Sequence, residues 1–65
     1  MYGKFSKYDL FRATKDSFEL WDSTLQKGKD IAFVNAAKAG YFTLKNLIVA
    51  HGLHDEYLTW KEMQS

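Results

Sequence analysis

The spacing of apolar residues restricts this chain more than any other feature. It follows the period of an α-helix over most of the length, and no proline interrupts it. Phe11, Thr14, Phe18, Trp21 and Leu25 fall at alternating intervals of three and four, one stripe on a helix side, with Leu10 beside it. Without proline, glycines and caps must mark the boundaries. Gly28, Gly40 and Gly52 recur every twelve residues, each after a run of helix formers, as glycines just past helix C-termini do.

This punctuation predicts an all-α fold, a single helical domain over 1–65 built as a small bundle of about four helices. A longer first helix runs from Lys7 to Lys27. Ser6 is its cap and Asp9 completes a capping-box spacing, although Asp16 with Glu19 offers a second start near Ser17. Three short helices joined by glycine turns follow. The second, about Ile31–Ala39, is capped by Asp30 and apolar on two sides, as a central helix is. The third, about Leu44–His51, takes Thr43 as cap, and the fourth covers about Asp55–Gln64. The expected core is Phe11, Phe18, Trp21, Leu25, Phe33, Leu44, Leu47, Ile48, Leu53, Tyr57 and Trp60.

A 65-residue domain buries only about 60% of its unfolded surface, so its stability margin is thin. There is no cysteine to staple it, which fits a reducing compartment. Five Phe, four Tyr and two Trp supply buried area instead. No apolar run approaches the ~18 residues of a membrane span, and Met1-Tyr2-Gly3-Lys4 lacks the apolar core of a signal peptide. The expected location is the cytoplasm, with no membrane partner.

Residues 36–52 carry Ala36-Ala37, Gly40, Leu44, Leu47-Ile48 and His51-Gly52 at the intervals of one ankyrin-repeat hairpin, which the stretch resembles. The likeness ends there. Ile31-Ala32-Phe33-Val34 stand where that family has its Thr-Pro-Leu-His run, and no second repeat follows, whereas about three are needed to bury a continuous core. Residues 31–51 also admit a helix-turn-helix reading in which Lys38, Thr43, Lys45 and Asn46 face DNA. Asn46 then takes the position where an apolar anchor belongs, and a net charge of +1 supplies little attraction for phosphates.

His51, His54, Asp55 and Glu56 invite a metal, but Gly52 breaks the helix that would align the imidazoles and no second ligand pair is in sight. No cofactor is expected. Catalysis lacks a cysteine nucleophile, a Gly-x-Ser-x-Gly turn and a glycine-rich phosphate loop, and the paired carboxylates sit at helix starts, where they serve as caps. No enzyme is expected. Leu20, Val49 and Leu58 are left over from the helical stripes. The expectation is a non-enzymatic protein–protein interaction module, a regulator or inhibitor, that pairs as a homodimer through Leu20, Val49 or Leu58. A helix-turn-helix DNA-binding regulator is the alternative.

Overall fold

The structure, a computed structural model, describes residues 6–64. The start Met1-Tyr2-Gly3-Lys4 lies outside the described residues. The fold is all-α, with three helices: α1 (Lys7–Gln26) and α2 (Ile31–Ala50), of 20 residues each, and α3 (His54–Met63), of 10. No strand occurs among the described residues. The first helix begins at Lys7 rather than near Ser17. Neither Ser6 nor Asp30 makes the side-chain cap bond their positions suggest.

Two of the three glycines end helices as expected. Gly28 and Gly52 have φ of 65° and 68°, a left-handed conformation that glycine enters without a Cβ clash. Each closes a Schellman motif. The Lys29 amide donates to the Thr24 carbonyl at 3.1 Å and the Gly28 amide to Leu25 at 3.2 Å; the Leu53 amide donates to Ile48 at 2.9 Å and the Gly52 amide to Val49 at 3.0 Å.

Gly40 does not follow them. It lies inside α2, so the two short helices expected over 31–51 are one continuous helix, and the described residues form three helices rather than four. Neither the ankyrin-like hairpin nor the helix-turn-helix unit is formed. The physical reason is that a lone glycine only weakens a helix, by about 1 kcal/mol relative to alanine, while the residues just beyond it have partners only if the helix runs on. Tyr41 packs its ring 5.4 Å from Phe18 and 5.7 Å from Trp21, and Phe42 lies 5.7 Å from Trp21. Thr43, expected as a cap, donates its hydroxyl back to the Ala39 carbonyl at 2.8 Å, inside the helix.

The turn at residues 27–30 folds α2 back antiparallel along α1, so that Phe18 and Trp21 meet Tyr41 while Phe11 meets Ile48. Leu10, Phe11, Ile48 and Tyr57 form the buried core, with Leu44, Leu53 and Trp60 packed against it. Phe11 lies 5.4 Å from the Tyr57 ring and 5.7 Å from Trp60. Its ring, fully buried, therefore ties α1 to α3 within a cluster that also contains Ile48 of α2.

The seam that α1 turns inward differs from the stripe its apolar residues draw. Leu10, Thr14 and Thr24 are buried and Ser17 and Trp21 half-buried, a straight succession of steps of four and three. Small hydroxylated residues take seam positions because their oxygens are satisfied locally. Thr14 donates to the Leu10 carbonyl at 2.8 Å and Thr24 to Trp21 at 2.7 Å, so each presents its methyl group outward. Phe18 and Leu25 are displaced to the edge and exposed. Phe33 and Leu47, also expected in the core, are exposed as well, since α1 and α3 occupy the other side of α2.

Two substitutions check this packing. Gly40→Ala should raise the unfolding free energy by about 0.5–1 kcal/mol, because nothing lies within 4 Å of the added Cβ and the backbone is helical; a loss of stability in urea titrations would mean the helix breaks there. Phe11→Ala should cost about 3–5 kcal/mol, enough to leave a domain of this size largely unfolded. Half-buried Trp21→Ala should cost less, and the reverse ranking in thermal melts would contradict the core described here.

Candidate functional site

The candidate site is the outer side of α2, whose rim at Phe42 also touches Trp21 of α1. Ile31 and Phe33 are each 66% exposed, Val49 55%, Leu47 44% and Phe42 43%. Between them lie Ala32, Ala36, Ala39, Thr43, Asn46 and Ala50, all exposed, with exposed Asn35 beside Phe42. At about 100° per residue, these small residues run down the middle of the outer face. Ile31, Phe42 and Val49 flank them on one edge and Phe33 and Leu47 on the other. Small residues between larger ones make a shallow, largely apolar channel about 30 Å long, the length of a 20-residue helix, crossed by Asn35, Thr43 and Asn46.

Charge is kept out of this channel. α2 contains two charged residues, Lys38 and Lys45, and both lie on its α1 side. The Lys38 ammonium sits 6.0 Å from the centre of the Trp21 ring, and that of half-buried Lys45 5.8 Å from Tyr41. Cation–π attraction of this kind contributes about 0.5–1 kcal/mol at exposed sites. The outer surface of α1 is mixed: Asp9, Arg12, Asp16, Glu19 and Asp22 are exposed, with Lys15 bonded to Glu19 at 2.6 Å, beside exposed Tyr8, Phe18, Leu20 and Leu25.

The residues singled out for interaction are all exposed: Leu20 at 59%, Val49 at 55% and Leu58 at 41%. Each belongs to a different helix, and only Val49 lies on the channel. Of the residues considered for DNA, Lys38 and Lys45 cover aromatic rings, Thr43 is bonded within its helix and Asn46 is exposed. Ile31, Phe33, Phe42 and Leu47 were not legible as site residues. Their signal was the apolarity of this segment all the way round, which also fits a helix buried on both sides.

Other candidates have less geometry behind them. A depression of ≈ 400 Å³ lies along α1, lined by Phe18, Glu19, Asp22, Ser23 and Gln26 of that helix and by Lys27 just past its end. Among the described residues no three His, Asp or Glu side chains gather where they could hold a metal, and no helix is long and apolar enough to cross a membrane. No family model, curated protein or solved structure matches the chain.

The titrating groups with displaced pKa values hold α3 against α1, behind the channel. Lys7 pairs with Glu56, and the hydrogen bond to that carboxylate raises the lysine pKa above its ordinary 10.5. Burial pushes the Tyr57 phenol above its ordinary 10.0, with the charge of Tyr41 adding to the shift. Both groups hold their protons more tightly in the folded state. Their contribution to stability is complete below about pH 10 and is lost as pH rises through the raised folded values. The melting temperature should therefore fall above about pH 10, and Tyr57→Phe should flatten that fall. A melting temperature independent of pH between 9 and about 11.5 would show that neither group is coupled to folding.

Proposed function

We propose that this chain is a non-enzymatic protein-interaction module that acts through the outer face of α2. One observation carries the reading: five large apolar side chains stand 43–66% exposed along a single helix whose two lysines lie over the rings of Trp21 and Tyr41. Scattered exposed apolar residues are ordinary, but large apolar side chains concentrated along one helix mark an interaction site. A small chain that spends its apolar side chains this way has a thin core. It gains stability whenever a partner binds the folded form, which suits a regulator or inhibitor that works by occupancy.

The channel also has the form that a helix or extended apolar segment of another protein fits. Its floor is made of small side chains that let a backbone approach closely, and its walls are aromatic and branched residues that close over what enters.

A photoreactive phenylalanine analogue placed at Leu47, and in a second variant at exposed Arg12 on α1, tests the proposal in the cell that makes the protein. Irradiation should yield covalent adducts to protein from position 47 and none from position 12. Absence of adducts from position 47, or equal yields from both, would refute it.

A further inference from the structure

We infer that the partner seated on this face is a second copy of the chain, its α2 packed antiparallel about a two-fold axis at the height of residue 41. The inference rests on the interaction reading above and names the occupant. Two observations carry it: the sequence of the face is self-complementary under that one operation, and its exposed area approaches what a dimer needs.

The central residues Ala32, Ala36, Ala39, Thr43, Asn46 and Ala50 succeed one another at steps of four, three, four, three and four. That is the seam spacing of helices that pack along their length. Reversing the direction about residue 41 sets Ala32 against Ala50 of the second copy, Ala36 against Asn46 and Ala39 against Thr43. Every pair contains at least one small side chain, so the axes can approach to the short end of the usual 8–10 Å range.

The flanks then fall into register. A two-fold axis perpendicular to an antiparallel helix pair brings like edges together. At about 1.5 Å per residue, Phe33 lies about 12 Å below the axis and Leu47 about 9 Å above it. In the dimer Phe33 therefore stands within about 3 Å of the height of the partner's Leu47. On the other edge the same arithmetic pairs Ile31 with the partner's Val49, and Phe42 with its own copy. All five exposed apolar side chains of α2 thus gain apolar mates from one operation. A parallel pair would join unlike edges and set Phe42 against Gly40, and it would align the two helix dipoles unfavourably.

Area and charge agree. With large apolar side chains offering about 150–250 Å² each, the exposed parts of these five come to on the order of 500 Å² per protomer. The exposed alanines bring this towards the ~800 Å² per partner of a stable interface. No charge of α2 enters the seam, because Lys38 and Lys45 are turned to the rings of Trp21 and Tyr41. The burial so gained is what a 65-residue fold without cysteine lacks on its own.

Sedimentation equilibrium over a hundredfold concentration range, on the full chain, tests the inference. The mass should rise to twice that of the chain. Ala39→Glu places two carboxylates close to the axis and should weaken association by at least about a hundredfold, with an unchanged far-UV spectrum, since Ala39 is exposed. Leu20→Glu, on α1, should associate as the parent does. The chain has no cysteine, so single cysteines report the register: with a short bis-maleimide, Phe42→Cys should cross-link to itself, and Ile31→Cys only when mixed with Val49→Cys. A monomer mass throughout, or association untouched by Ala39→Glu, overturns the inference. Cross-linking of Ile31→Cys to itself but not of Phe42→Cys overturns the antiparallel arrangement. A monomer that still forms adducts to other proteins from position 47 leaves the interaction module standing with a different partner; no adducts of any kind remove both.

Discussion

Three helices meet at the ring of Phe11, and α3 depends on that meeting most. On one side of the ring lies Ile48 of α2, on another Tyr57 and Trp60 of α3, with Leu10, Leu44 and Leu53 completing the shell. α3 has only 10 residues, too few to persist in water without tertiary contacts. It is held by this aromatic cluster and by the Lys7–Glu56 pair, an exposed contact of small weight beside the buried rings. The cluster sits at one end of the α1–α2 pair. Along the rest of that pair, half-buried Trp21 and Tyr41 are joined by threonines whose hydroxyls bond to their own helix. The packing is satisfied, since among the described residues no buried side-chain nitrogen or oxygen lacks a hydrogen-bond partner. It is also thin.

That thinness and the apolar outer face of α2 are two aspects of one distribution. The chain has ample apolar area, but much of it stands outside the core: Ile31, Phe33, Phe42, Leu47 and Val49 are as many as the buried apolar residues Leu10, Phe11, Val34, Ile48 and Tyr57 among the described residues. A stable isolated fold has no use for large apolar residues at these positions. Keeping them apolar along one helix, with both lysines drawn to the other side, is what an interface requires. The proposed partner differs from the Leu20, Val49 and Leu58 trio by resting on one continuous helix face rather than on single residues from three helices.

Helical class, the direction of the chain at Gly28 and Gly52, and the participation of Phe11, Ile48 and Tyr57 in the core were all legible from period and punctuation. Those signals are local. A period of 3.6 is set by backbone geometry, and a glycine in a Schellman motif acts through bonds within six residues. Gly40 carried the same local signal and was misread as a turn, because the contacts that carry the helix through it come from Phe18 and Trp21, some twenty residues away.

The choice of faces belonged to the tertiary structure. On α1, the apolar stripe through Phe18 and Leu25 lost the seam to Ser17 and Thr24, since side-chain volume and local hydroxyl bonding decide how closely α2 can lie. On α2, a helix apolar all round, periodicity could not say which side would be covered. The sequence by itself determined that this chain is helical and where two of its turns fall, because those depend on bonds between near neighbours. Which apolar residues are buried and which are left facing outward was decided only when three helices had to share the space around Phe11.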